Sequence, residues 1–191
     1  MTVQIILASA SPRRKELLDQ IKVNYKVHPV DLDETPLPDE APLDYVKRMA
    51  AEKSAACLAQ LNTEIPVLAA DTVVVLGCAI MGKPKNQADA LAMLTQLSGK
   101  THLVYSAISL RGREHGQAVS ITEVTFRCLT EQEIVNYWHT GEPLDKAGSY
   151  AIQGMGGMFV EAIKGSFSGV VGLPLFETAE LLSKQGIELF K

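Results

Sequence analysis

Apolar residues fall along this chain in blocks whose periods change, and those changes mark its elements. A short apolar run over residues 3–7 reads as a buried strand, and Ser9 and Ser11 as a turn. Ser11-Pro12 reads as a helix start, because serine is a favoured N-cap and proline suits the first helical position, where its missing N–H would be unpaired anyway. The helix that follows buries Leu17, Leu18 and Ile21, and residues 24–30 read as a second strand. Over residues 43–61, Val46, Ala50, Lys53 and Cys57 recur at alternating spacings of four and three, the period of a helix. Residues 67–76 are almost continuously apolar, as in a strand covered on both faces.

Residues 86–97 form a further helical pattern that Gly99 ends. Two long strand-like segments, 101–111 and 117–129, flank a glycine-containing turn and predict an antiparallel hairpin. Thr130-Glu131-Gln132-Glu133 has the spacing of a capping box and opens a short helix ending near Gly141. Glycine-rich turns and short apolar runs follow, and a last helix spans 175 to about 184. The cluster from Gly154 to Gly157 is not a dinucleotide fingerprint, since no GxGxxG there follows a strand and opens a helix. It reads as tight turns or as a place where backbone approaches a ligand closely.

Three features interrupt the pattern. Arg13, Arg14 and Lys15 occupy a first helical turn, where backbone N–H groups already create positive potential and carboxylates are preferred. The stretch fits either a solvated basic face or a phosphate cradle in which the hydroxyls of Ser9 and Ser11, free amides and guanidinium forks converge. Lys53 lies on an apolar stripe, so its ammonium either reaches the rim or meets a buried anion. Asp71 breaks the apolar run 67–76 and needs a cation, a metal or several donors; it is a strand-end structural residue or part of a site. Gly82-Lys83-Pro84 presents another lysine on a turn. The loop 31–42 holds Asp31, Asp33, Glu34, Asp39 and Glu40, most of them expected to face water.

A length of 191 residues fits a single domain over 1–191, with enough chain for a real core. The formal net charge of -4 argues against a protein that coats nucleic acid, so anion binding here is local. Cys57, Cys78 and Cys128 form no CxxC pair and suggest neither a disulfide framework nor a thiolate zinc site. A reduced, cytoplasmic setting fits them, and no apolar run approaches a membrane span. There is no GxxxxGK[ST] loop, HExxH or GxSxG, and the four histidines are scattered.

Taken together, Leu7-Ala8-Ser9-Ala10-Ser11-Pro12-Arg13-Arg14, Ala51-Glu52-Lys53, Ala70-Asp71-Thr72, Gly82-Lys83-Pro84, Asp145-Lys146-Ala147-Gly148 and Val171-Gly172-Leu173-Pro174 resemble the Maf family of nucleoside triphosphate pyrophosphatases. The resemblance covers essentially the whole chain in order. It implies an α/β fold related to the inosine triphosphate pyrophosphatases, with an elongated mixed sheet, two lobes and a central cleft. It also implies a homodimer, a divalent cation, and cleavage of a nucleoside triphosphate to the monophosphate and pyrophosphate. The dTTP and UTP subgroup is the most similar, because Arg13, Thr72 and Gln153 sit where that subgroup carries its specificity residues. Two readings stand beside it: a 7-methyl-GTP pyrophosphatase of the same family, and a nucleotide-binding regulator of septum formation. The chain departs from the family at Phe167, where tyrosine is common, and at Ser106-Ala107, where Thr-Gly is common.

Hydrolysis at an α phosphorus needs charge neutralisation on a polyanion, an oriented water and a stabilised leaving group. Arg13, Arg14, Lys53 and Lys83 supply positive charge. By resemblance Asp71 is the catalytic acidic residue, taking the water's proton or holding the metal, and Glu34 is the second oxygen ligand. With no Cys or His cluster, Mg²⁺ or Mn²⁺ is the natural cation. Uracil and thymine present acceptor, donor and acceptor along their pairing edge, and the Gln153 amide offers a donor and an acceptor to match two of them.

Overall fold

The continuous apolar stretch becomes the middle of a mixed sheet. In the computed structural model, which describes residues 2–189, the elements are β1 (Ile5–Leu7), α1 (Pro12–Gln20), β2 (Tyr25–Val27), α2 (Pro42–Leu61), β3 (Val67–Leu76), β4 (Ala79–Met81), α3 (Gln87–Leu97), β5 (Thr101–Arg111), β6 (His115–Phe126), α4 (Glu131–His139), β7 (Val160–Lys164), α5 (Phe167–Val171) and α6 (Leu175–Lys184). Short 3-10 turns lie at Ala147–Ser149 and Met155–Phe159. The seven strands run in the order β2-β1-β3-β5-β6-β7, with β4 also on β3. β1 is parallel to both neighbours, and every pairing from β3 onward is antiparallel.

Alternation along β3 divides the core. Val73 and Val75 pack with Tyr45, Val46, Met49 and Ala50 of α2, and Val67 and Ala69 with Cys57. Leu68, Ala70 and Val74 face the other way, into a larger cluster with Leu17 and Leu18 of α1, Leu94 and Leu97 of α3, and Leu181 and Leu182 of α6. Because successive side chains of a strand point to opposite faces, Asp71 falls on the α2 side and Thr72 on the α1 side.

The register leaves one interval of β3 unpaired. β5 covers one edge from Val67 to Val75. On the other edge β1 reaches only Leu68, and β4 covers Val74 to Leu76. Residues 69–73 therefore have no strand partner on that edge, and Asp71 stands at the centre of the interval. β1 leads into it from one end through Ala8 and Ser9; β4, running antiparallel, leads into it from the other through Gly82 and Lys83.

Several elements differ from the sequence reading. The first strand is Ile5–Leu7 rather than 3–7, and the second is Tyr25–Val27 rather than 24–30. Pro29, lacking an N–H, ends the second ladder just after His28 donates to the Leu7 carbonyl at 3.0 Å. The hairpin's second strand is His115–Phe126 rather than 117–129, because the Arg127 amide turns away to the Phe159 carbonyl at 2.9 Å. β4 folds back on β3 through Gly77 at φ +63 and Cys78, a turn suited to glycine. β4, the edge strand β7 and α5 were not expected, being short or, in β7, mostly exposed. Ser11 holds the N-cap position of α1 without a side-chain cap bond, with Pro12 in the first turn, whereas the capping box of Thr130 and Glu133 forms as read. All three cysteines are free. No helix among the described residues is long and apolar enough to cross a membrane.

Candidate active site at the open interval of the central strand

Parallel strands β2, β1 and β3 are connected so that α1 carries the chain to one side of β1 and α2 to the other. The crevice past the carboxyl end of such a strand is where ligands bind in open α/β sheets. Here it coincides with the uncovered interval of β3.

On the α2 side, the helical stripe aims Lys53 at Asp71. Its Nζ lies 2.7 Å from Asp71 Oδ1 and 2.6 Å from Glu34 Oε1, so one ammonium joins both carboxylates. Lys53 and Asp71 are each 8% exposed, while the Glu34 side chain is about half exposed, at 48%. The loop carrying Glu34 is fastened to α2: Tyr45 donates its hydroxyl to the Glu34 carbonyl at 2.8 Å, and Arg48 pairs with Glu40 at 2.6 Å. Glu40, expected to face water with its neighbours, is thus an anchor whose side chain is 8% exposed.

From the α1 side, Arg14 reaches toward the same place. Its Nε donates to the Gly172 carbonyl at 2.9 Å, and Nη1 to Ser9 Oγ at 3.1 Å. Ser9 Oγ also accepts the Ser11 amide at 3.2 Å, which closes the turn between β1 and α1. A Cβ added at Gly172 would sit 3.6 Å from Thr72 Oγ1 and 3.7 Å from Arg14 Nε, so both side chains border Gly172. Thr72 Oγ1 itself hydrogen-bonds Ser106 Oγ at 2.8 Å. Lys83, exposed on its turn, acts electrostatically on Glu34.

The charges push the two carboxylates apart. Burial raises the Asp71 carboxyl above its ordinary value, and the cations Lys53 and Arg14 offset this only in part. For Glu34, desolvation is outweighed by the Lys53 hydrogen bond and by the charges of Lys53, Lys83 and Arg14, so it lies below its ordinary value. Burial likewise lowers Arg14, with Asp71 and Glu34 supporting its charge. Two titratable groups driven in opposite directions in one crevice are the arrangement expected of an acid–base site.

No group of three or more His, Cys, Asp or Glu side chains placed to hold a metal occurs among the described residues. The site offers two carboxylates that meet on one lysine. Hard oxygen donors in that number fit Mg²⁺ or Mn²⁺, which are commonly held by one or two carboxylates together with waters and substrate phosphates.

Arg13 and Gln153 are brought together at a different place. Both line a concave pocket of about 380 Å³ between α1 and α5, with Leu17, Phe167 and Val171 among its other walls. Asp145 acts on Arg13 electrostatically and Arg13 on Lys146, and the turn of Asp145 and Lys146 is tied to the Lys83 turn by the Gly148 amide, 3.1 Å from the Gly82 carbonyl. Gly148 has φ +66, and a Cβ there would lie 3.0 Å from Val74, so this approach requires glycine. Thr72 is not among the pocket's lining residues. Sequence reasoning noted Phe167 only as a departure from the family's tyrosine and gave it no role; it is 48% exposed on the pocket. That reasoning missed the Gly172 carbonyl, which nothing in a side-chain pattern could reveal.

Comparisons with known proteins show the family to which the chain belongs. Residues 4–185 match the family model described as Maf-like protein. A dTTP/UTP pyrophosphatase of Pasteurella multocida is 50% identical, the match covering 98% of this chain and 98% of that one. A dTTP/UTP pyrophosphatase of Myxococcus xanthus is 51% identical over 97% of this chain and 94% of its own. Among solved structures, the Staphylococcus aureus Ham1 protein aligns with 64% of this chain and 71% of its own at 18% identity, with a TM-score of 0.46. The chain belongs to the Maf-like family.

Proposed function

We propose that this chain hydrolyses dTTP and UTP to the nucleoside monophosphate and pyrophosphate. The observation that carries the reading is the buried Asp71 in the open interval of β3, tied through Lys53 to Glu34 and flanked by Arg14. The names of relatives about 50% identical over nearly their whole length support the choice of nucleotides.

Each residue then has a task. Arg14, with Ser9, Lys53 and Lys83, neutralises the triphosphate at the α1 N-terminus, where free amides add to the attraction. Water attacks the α phosphorus, the bond from that phosphorus to the oxygen bridging to the β phosphorus breaks, and pyrophosphate leaves with the electron pair. Asp71 takes the water's proton; Lys53 holds Oδ1, which leaves Oδ2 for it, and the raised affinity of this carboxylate for protons suits the task. Asp71 and Glu34 are the residues that would hold a divalent cation, which when bound makes water more acidic and spreads phosphate charge. The pocket of Arg13, Gln153 and Phe167 receives the base: Gln153 matches two positions of the uracil or thymine edge, and the Phe167 ring offers an apolar face. Thr72, with Arg14, borders Gly172.

Release of pyrophosphate from a panel of nucleotides tests the proposal. Faster release from 7-methyl-GTP than from dTTP or UTP would move the chain to the other subgroup.

A further inference from the structure

The segment that carries Gln153 is stapled from one side. Tyr137 on α4, 3% exposed, accepts the Ala151 amide at 3.1 Å and donates to Glu142 Oε1 at 2.7 Å. Glu142 in turn accepts the Gly156 amide on Oε1 at 2.9 Å and the Met155 amide on Oε2 at 3.0 Å. One phenol and one carboxylate thus hold both ends of residues 151–156, and Gln153 stands exposed at the bend between them. The bend is closed on itself by the Gly154 amide, 3.1 Å from the Ala151 carbonyl.

The glycine run has its explanation here. A Cβ at Gly154 would lie 2.3 Å from Glu142 Oε2, and one at Gly156 would lie 2.6 Å from the Tyr137 hydroxyl and 2.9 Å from the Ala151 carbonyl. Only bare backbone lets the carboxylate and the phenol come this close. The glycines therefore serve the clamp rather than a phosphate.

We infer that Tyr137 and Glu142 are positioning residues that set base preference by holding Gln153 against Arg13 in the pocket between α1 and α5. The inference rests on the reading of Gln153 as the residue that meets the base edge. An amide tells uracil from cytosine only if its donor and acceptor are held in register; a loosened Gln153 rotates and serves either base. None of the clamp's hydrogen bonds reaches Asp71, Lys53, Glu34 or Arg14, so its loss leaves the reacting groups in place.

The test compares kcat and KM for UTP and CTP, which share sugar and phosphates and differ at the pairing edge, in Tyr137→Phe, Glu142→Gln and Gln153→Ala. The expected result is a fall of roughly tenfold in the UTP-to-CTP ratio of kcat/KM for each variant. It should arise mainly from KM for UTP, with kcat within about twofold of the parent. Tyr137→Phe combined with Gln153→Ala should lower the ratio no further than Gln153→Ala alone, since both act through one contact. Glu142→Gln, which keeps the side chain's shape and one acceptor oxygen, carries the test if Tyr137→Phe does not fold. A clamp with a structural role alone would slow both nucleotides equally and leave the ratio unchanged, which overturns the inference while Gln153→Ala still collapses the ratio. An unchanged ratio in Gln153→Ala overturns the reading of Gln153, and the inference with it.

Discussion

The Lys53 ammonium lies 2.7 Å from Asp71 Oδ1, with the two side chains 10% and 11% exposed. Neither charge has enough water to stand alone, so each is the reason the other is tolerated in the fold. Lys53→Met should therefore cost about 3 kcal/mol of stability, near the lower end of the range for breaking a buried pair, because Arg14 remains beside Asp71. Adding Asp71→Asn should restore much of the loss. Urea unfolding of the single and double variants checks this; a single variant within about 0.5 kcal/mol of the parent would contradict it.

The same pair governs the acid limb of activity. Burial holds the Asp71 carboxyl above its ordinary value, and Lys53 and Arg14 pull it back down. The acid limb of kcat/KM should lie above the ordinary aspartate range, and any residual activity of Lys53→Met should show it displaced to higher pH, since a cation that favours the ionised form is gone. A limb that moves to lower pH would show that Asp71 is not the group being titrated.

Arg13 and Arg14 are adjacent in sequence but serve different regions, one on the pocket with Gln153 and the other on Ser9 and Gly172. Arg14→Ala should depress hydrolysis of every nucleotide, by roughly a hundredfold, whereas Arg13→Ala should change the preference between nucleotides more than the best rate. Steady-state kinetics across a nucleotide panel separates the two. Equal effects at both positions would remove the division of labour.

How much of this could be read beforehand depends on whether a feature is local. Asp71 and Lys53 announce themselves as charges on apolar stripes, and the elements that carry them, Pro42–Leu61 and Val67–Leu76, follow from helix and strand periods over long windows. Their meeting was not legible, because it depends on which helix covers which face. The open interval of β3 was less so: it exists because β1 stops after Leu7 and β4 stops after Met81, a matter of register between strands. β7 escaped because an edge strand with exposed residues lacks the alternation that marks a half-buried one. The Gly154–Gly157 cluster reads in the sequence as tight turns or as backbone approaching a ligand; at Gly154 and Gly156 the backbone approaches the chain's own Glu142 and Tyr137, which the pattern of side chains does not show.

His102 was given no role from sequence and belongs to the core. It is 1% exposed, its Nε2 hydrogen-bonds the Tyr150 hydroxyl at 2.8 Å, and Phe126 packs edge-on against it. Burial pushes its pKa down to about 4. As pH falls, an unfolded chain takes up this proton near 6.5 and the folded one only near 4. The stability contributed by the neutral ring is therefore complete above 6.5 and is lost between the two values, about 3 kcal/mol in all. Unfolding of the parent and of His102→Gln at about pH 7 and about pH 4.5 should show the smaller pH difference in the variant. Equal differences would mean that the ring is protonated in the folded state.

In the proposed function, Asp71 at the open interval of β3 drives cleavage between the α and β phosphates of a pyrimidine nucleoside triphosphate. The direct measurement is product analysis of dTTP and UTP incubated with Mg²⁺ and either the parent protein or Asp71→Asn. The expected result is the monophosphate and pyrophosphate in equal amounts from the parent, and a rate at least about a thousandfold lower from Asp71→Asn at unchanged fold. Release of orthophosphate with the diphosphate, or turnover that survives in Asp71→Asn, would contradict it.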